Sequence, residues 1–340
     1  MASWPRLPLG SLASLIILIA AIGIGFRLTR SRRSVSQRAS VCSREPPLVC
    51  AHGGLTYPSS GADGIDEENA MLAFTRAVEA HLHCVEVDVA MTSDGHLLAL
   101  HPKQINAHQD AGHSEGGGGG GGGEIHRRVY QQRRGMLTHI RREYADGEDE
   151  AREIAELHQV LDALCGVMNT LLIDVKLEPG MQDDRIASFF SSLSKLISSY
   201  GSSSLDESTQ ASSKCRSTHV IVLAKSDSAV SQLTRLGLDA GYVVWNGTEA
   251  NRRSGQDEPV RKRPIAAVAA AHYTMVTSSL VRIVHAIHRQ LLAWTVDDVA
   301  TALQLMHRGV DVFVTNIPLT IESAMREERA KLCADVTGAD

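Results

Sequence analysis

Cys84-Val85-Glu86-Val87-Asp88-Val89 alternates apolar and acidic side chains after its opening pair. The two-residue period of an extended chain places Glu86 and Asp88 on one face, with Val85, Val87 and Val89 on the other. On a surface strand this would be no more than a solvated face. Within a closed parallel sheet both faces are covered, and two inward carboxylates repel unless a cation or protons compensate them. The rest of the chain decides between these cases.

Outward from this run, short β-type apolar stretches alternate with longer stretches of helical periodicity, the pattern of a parallel sheet covered by helices. Strands are predicted at residues 48–51, 84–89, 170–175, 220–223, 241–244, 266–268, 291–294 and 312–314, with a further β-like run at 97–100. Helices are predicted at 68–80, 153–164, 184–199, 227–238, 278–289, 297–307 and 319–331. This order points to a closed α/β barrel, the TIM (β/α)8 fold, rather than an open sheet. The chain of 340 residues suffices for one barrel, which takes about 250 residues and more with insertions. The barrel is expected over residues 46–332, followed by a tail at 333–340.

Two stretches interrupt the order: 113–147, with consecutive glycines from Gly116 to Gly123, and the serine-rich run 191–213. Polyglycine forfeits too much backbone entropy to order by itself, so residues 103–150 are read as a flexible Gly-rich insertion, with a substrate lid as the alternative. The arginines between Arg127 and Arg142 are read as a solvated helix, with contact to phosphate or anionic lipid as the alternative. Residues 1–45 form an N-terminal anchor and basic linker. Within them, 10–26 carries no charge and, at about 17 residues, is just long enough to cross a hydrocarbon core as a transmembrane helix. A single-pass membrane anchor is the leading reading, against a plastid-type transit segment or a secretory signal. Arg27, Arg30, Arg32 and Arg33 follow this segment and only Arg6 precedes it, which predicts the following domain in the cytosol or its topological equivalent.

The six cysteines, Cys42, Cys50, Cys84, Cys165, Cys215 and Cys333, form no CxxC pair. Neither a zinc knuckle nor a dense disulfide framework is suggested, and most are expected to be reduced and buried. A net charge of −5 with interspersed signs argues against a nucleic-acid partner.

A third carboxylate, Asp174, lies in the apolar run Leu171-Leu172-Ile173-Asp174-Val175, two residues before Lys176. Three oxygen ligands with room for water and phosphate suit a hard divalent cation, Mg2+ or Ca2+. The plainer reading of Asp174 and Lys176 is a mutual ion pair at a strand end. His52 closes the first strand and His101 closes the run 97–100, so both are expected on the C-terminal rim where such barrels carry their chemistry. Two imidazoles near neutral pH divide the work of general base and general acid, in either assignment. His96, His108, His113, His126 and His272 have no such placement and are read as surface or local packing residues.

From Val49 to about Glu322 the chain resembles the glycerophosphodiester phosphodiesterase family, in particular its membrane-anchored plant-type members. Ala51-His52-Gly53-Gly54 resembles the family's opening histidine motif, Glu68-Asn69 with Ala73-Phe74 its helix-start motif, and Glu86-Val87-Asp88-Val89 its metal strand. Thr92, Asp94 and Gly95 then lead into His101 as the family's turn leads into its second histidine. Asp174-Val175-Lys176, Ala293-Trp294-Thr295-Val296-Asp297, Gly309-Val310-Asp311 and Thr315-Asn316-Ile317-Pro318 follow in the family's order.

The resemblance implies metal-dependent hydrolysis of small glycerophosphodiesters to sn-glycerol 3-phosphate and an alcohol, in glycerophospholipid breakdown and phosphate recycling. It implies Glu86, Asp88 and Asp174 as ligands of a divalent cation, His52 and His101 as the proton-transfer pair, and Lys176, Trp294 and Glu68 as substrate contacts. The chain departs from the family at Gly53 in place of arginine, Glu67 in place of proline, Pro102 in place of aspartate, and Asp174 in place of glutamate. The first change removes a bidentate phosphate donor that lysine does not fully imitate. Both histidines and the three carboxylates remain, so slow or shifted activity is expected. The rival readings are a membrane-tethered, non-catalytic phosphodiester-binding barrel and a lysophospholipase D-type activity, whose sign would be an apolar groove beside the metal site.

Overall fold

The computed structural model describes residues 41–56, 68–92, 95–101, 155–177, 180–201, 214–244 and 267–334. Its strands are β1 (Leu48–Ala51), β2 (Cys84–Met91), β3 (Leu97–Ala99), β4 (Thr170–Val175), β5 (His219–Ala224), β6 (Asp239–Val244), β7 (Val268–His272), β8 (Gln290–Trp294) and β9 (Val312–Thr315). All except β3 run parallel in the order β1-β2-β4-β5-β6-β7-β8-β9, and β9 pairs back onto β1, closing the ring. β3 lies antiparallel against β2 outside this ring. The closed, eight-stranded parallel barrel expected of a TIM fold is therefore present.

Between the strands run α1 (Met71–Glu79), α2 (Leu157–Leu164), α3 (Asp183–Gly201), α4 (Asp227–Arg235), α5 (Ser278–Ala286) and α6 (Val299–Arg308), with α7 (Pro318–Cys333) after β9. Each βα turn must satisfy the open N–H groups of the next helix. Ser226, Thr277 and Asp298 do so for α4, α5 and α6 by accepting from Ala229, Leu280 and Thr301. Residues 245–266, between β6 and β7, lie outside the described residues.

The interior is filled by alternate strand residues, among them Cys50, Cys84, Leu172, Leu223, Val268, Ala270, Leu292 and Val314. Because Cys84 faces inward, the two-residue period aims Glu86 and Asp88 inward as well. This parity settles the question posed by the acidic run. Glu86 and Asp88 are not a solvated face: they are only 4% and 1% exposed.

Several sequence expectations shift. The strand predicted at 266–268 is Val268–His272, because Ala269-Ala270-Ala271 has little intrinsic β character and is extended only by its place in the ring. The helix predicted from residue 68 begins at Met71, since Asn69 has φ +63 and sits in a turn. The helix predicted from 153 begins at Leu157, where Glu156 and Gln159 form a capping box. The remaining helix ends move by a few residues.

The expectation of reduced cysteines is overturned. Cys50–Cys84, Cys165–Cys215 and Cys42–Cys333 are disulfides, and no described cysteine is free. Parallel pairing of β1 with β2 sets Cys50 opposite Cys84 with Cα atoms 4.4 Å apart, within bridging range. Their separation of 34 in sequence conceals that proximity.

Among the described residues, 41–46 and 326–334 form a second compact unit. The Cys42–Cys333 bond ties it, and Arg329 donates to the carbonyls of Val41 and Arg44. No helix among the described residues is long and apolar enough to cross a membrane. The predicted anchor at 10–26, the glycine tract, His108, His113, His126 and the arginines from 127 to 142 lie outside the described residues.

Candidate active site

β2 and β4 deliver the acidic centre. Their register sets Asp88 directly beside Asp174, with Glu86 one inward position earlier on β2. One carboxylate oxygen from each of Glu86, Asp88 and Asp174 lies within 4.8 Å of the others, and all three residues are buried. Lys176, just past β4, has its side chain only 9% exposed; its Nζ lies 2.6 Å from Asp88 Oδ1 and also pairs with Asp174 Oδ2. The predicted Asp174–Lys176 ion pair is thus present, but as part of a larger cluster.

Charge accounting tests this cluster as a cation site. Three buried carboxylates facing one ammonium leave two negative charges uncompensated, which matches one divalent cation. Burial and the Asp88 charge push the Glu86 carboxyl well above its ordinary range, against His52 and Lys176. Burial also opposes ionisation of Asp88, but Lys176, then His101 and His52, hold its carboxyl low. Asp174 Oδ1 is buried without a hydrogen-bond partner, and Asp88 Oδ1 faces the Lys176 ammonium. An all-oxygen donor set with open acceptor sites fits a hard cation.

β1 ends in the turn that supports the first histidine. His52 N donates to Thr315 O (3.0 Å), and the next amide, Gly53 N, donates to Glu86 Oε2 (3.0 Å). Gly53 and Gly54 adopt φ +58 and +89, a region that L side chains rarely enter. A Cβ on Gly54 would lie 2.8 Å from Ala73 C, so the β1–α1 turn is packed hard against the start of α1. The same turn carries Asn69, which clamps Asp88 twice: its Oδ1 accepts from Asp88 N (2.9 Å) and its Nδ2 donates to Asp88 Oδ2 (3.1 Å).

Glu68 Oε1 lies 3.7 Å from His52 Nδ1. Burial disfavours the charged His52 imidazole, but Glu68, Glu86 and Asp88 outweigh it, so with these side chains alone its pKa is pushed up to about 10. His101 follows Leu100, whose N–H donates to Asp88 O (2.9 Å), and its charge is felt at the Asp88 carboxylate. The structure therefore brings His52, Glu68, Glu86, Asp88, His101, Asp174 and Lys176 to the C-terminal end of β1, β2, β3 and β4.

Trp294 ends β8 farther round the rim. Its indole N–H donates to Ala270 O (3.1 Å), and its ring meets the His272 imidazole edge-on at 5.3 Å. His272, read from sequence as a surface or packing residue, ends β7 in register with Trp294. Sequence reasoning also gave no role to Asn69, Asp297 or Asn316. Asn316 Oδ1 lies 2.8 Å from His52 Nδ1, and the Asn316 amide donates to Asp297. Their presence in quoted motifs was the only signal that could have singled them out.

A parallel barrel with an acidic, cation-suited centre flanked by histidines at its C-terminal rim has the form of an enzyme's active site. The profile of the glycerophosphoryl diester phosphodiesterase family matches residues 53–320, and the chain belongs to that family. It is accordingly an enzyme of the phosphoric diester hydrolase class. It is 26% identical over 313 residues to glycerophosphodiester phosphodiesterase GDPD4 of Arabidopsis thaliana, covering 90% of this chain and 81% of the relative.

Among solved structures, a putative glycerophosphoryl diester phosphodiesterase from Silicibacter pomeroyi superposes with TM-score 0.56 at 17% identity, covering 86% of this chain and 98% of the other. An Oleispira antarctica phosphodiesterase, solved in complex with the product sn-glycerol-3-phosphate, gives TM-score 0.52 at 18% identity, covering 83% and 97%. At such identities these structures speak for the fold.

Proposed function

We propose that the chain hydrolyses glycerophosphodiesters to sn-glycerol 3-phosphate and an alcohol by metal-dependent, two-histidine acid/base catalysis, within glycerophospholipid breakdown and phosphate recycling. The observation that carries this reading is the buried Glu86, Asp88 and Asp174 cluster with His52 and His101 on adjoining elements. Those three carboxylates would hold Mg2+ or Ca2+, which when bound neutralises phosphate charge and polarises the P–O bond. Lys176 supplies a fixed positive charge at the same end of the barrel. One imidazole takes a proton from the attacking oxygen, water or a glycerol hydroxyl, as the new P–O bond forms; on the hydroxyl route water then opens the resulting cyclic phosphate to sn-glycerol 3-phosphate. The other gives a proton to the departing alcohol oxygen as the old P–O bond breaks. Glu68 accepts a glycerol hydroxyl beside His52, and Trp294 offers an apolar wall to the glycerol carbons.

The test is an assay with added Mg2+ or Ca2+ against glycerophosphocholine, glycerophosphoethanolamine and a lysophospholipid, run beside His52→Ala and Glu86→Ala. Release of sn-glycerol 3-phosphate from the first two, lost in both variants, is expected. Unchanged turnover in both variants refutes the mechanism. Cation binding by a folded protein that turns over no substrate supports the non-catalytic rival instead.

We further infer a membrane tether at residues 10–26. The three disulfides favour an oxidising compartment, which sets a secretory-pathway location above the cytosolic one. Protease protection in sealed microsomes tests this: a protected catalytic domain is expected, and digestion without detergent restores the cytosolic reading.

A further inference from the structure

We propose that Asp297 and Asn316 are positioning residues that hold a hydrogen on His52 Nδ1 and thereby make Nε2 the nitrogen that exchanges the proton in the reaction. This rests on the two-histidine reading above and deepens it.

The argument is one of donors and acceptors. β1 and β9 pair through Ala51 and Thr315, so the next residue on each, His52 and Asn316, emerge side by side. Asp297, in the loop after β8, uses both of its oxygens on the end of β9. Its Oδ1 accepts from Asn316 N (2.8 Å) and Thr315 Oγ1 (3.1 Å), and its Oδ2 accepts from Asn316 Nδ2 (2.8 Å). An ionised carboxylate only accepts, so the Asn316 amide must turn its NH2 toward Asp297. That leaves Asn316 Oδ1, an acceptor, 2.8 Å from His52 Nδ1. Glu68 Oε1, 3.7 Å from the same nitrogen, is an acceptor too.

Nδ1 therefore carries the hydrogen, and in the neutral ring the basic lone pair resides on Nε2. His52 N is also bonded to Thr315 O, so backbone and side chain hold the ring against the same strand end.

Asp297→Asn is the isosteric test. Its oxygen is held by the Asn316 N–H and the Thr315 hydroxyl, so its new NH2 faces Asn316 and turns that amide over. The Asn316 NH2 then confronts His52 Nδ1, which favours the opposite tautomer. The readouts are 15N shifts of the His52 imidazole in the cation-loaded protein and steady-state kinetics with glycerophosphocholine. Expected results are a move of the proton from Nδ1 to Nε2 in the neutral ring and a fall in kcat of about 100-fold, the scale of general acid–base catalysis, with KM nearly unchanged.

The reciprocal double change D297N/N316D again places an acceptor on Nδ1, and it should restore the tautomer and recover kcat. A structural role alone would move neither the tautomer nor its restoration. An unchanged tautomer with wild-type kcat in Asp297→Asn overturns the proposal, as does a loss that the double change fails to rescue. If His52→Ala is itself fully active, the two-histidine reading has failed instead.

Discussion

Gly54 offers the most direct test of how the β1–α1 turn supports the site. In Gly54→Ala the added methyl meets two separate costs. The first is conformational: φ is +89, and an L residue on that side of the map costs about 1–2 kcal/mol. The second is steric. The new Cβ would fall 2.8 Å from Ala73 C and Cβ and 3.0 Å from Ala73 O, the carbonyl that accepts Leu55 N. These are mainly helix backbone atoms, and forced overpacking costs about 1–3 kcal/mol.

The total for Gly54→Ala is then about 2–5 kcal/mol of lost stability. Gly95→Ala is the control. Its φ is similar, +94, but nothing lies within 4 Å of its added Cβ, so only the first cost applies. Guanidinium denaturation of both variants isolates the steric part, read as a shift in midpoint at constant slope. Gly54→Ala should also lower turnover beyond its effect on stability, because relief of the clash moves the turn that carries His52. Equal losses in the two variants, or full activity in a clearly destabilised Gly54→Ala, would refute this account.

Added Mg2+ or Ca2+ should raise the thermal midpoint, and ligand present at about 100 times its dissociation constant contributes roughly 2.7 kcal/mol; Asp174→Ala should abolish that rise in calorimetry. Cys50→Ala with Cys84→Ala opens a 34-residue loop and should cost about 4 kcal/mol on the chain-entropy account, measured by denaturation beside the intact protein. Hydrogen bonds from the Thr301 and Ala300 backbone hold the Asp298 carboxyl low. Its contribution is present above the ordinary carboxyl range and lost as pH falls through the depressed value, so Asp298→Asn should flatten the fall in melting temperature below about pH 4.

The sequence made the barrel legible where strands carry β-branched residues, as in β4 and β5, and obscured it where the ring alone enforces extension, as in the alanines of β7. The carboxylates and both histidines were legible because each stands out against an apolar strand. Asn69, Asp297 and Asn316 were not. Asn316 reads as turn chemistry until its partner His52, 264 residues away, is known, while Asn69 and Asp297 bond residues 19 positions away that only the strand register brings beside them. The disulfides were hidden for the same reason, since only strand register brings Cys50 to Cys84.

That cysteine pair also bears on how the protein matures. β1 and β2 share only the Cys50–Cys84 and Ala51–Val85 pairings, whereas β2 and β4 share a ladder from Cys84–Thr170 to Val89–Val175. The covalent bond reinforces one of the two sparsest joints of the ring, two residues ahead of His52 on one strand and of Glu86 on the other. Both cysteines are synthesised within the first quarter of the chain, long before β9 exists to close the circle. An oxidising environment during synthesis would thus register β1 against β2 first, and the remaining strands would be added to an edge already aligned.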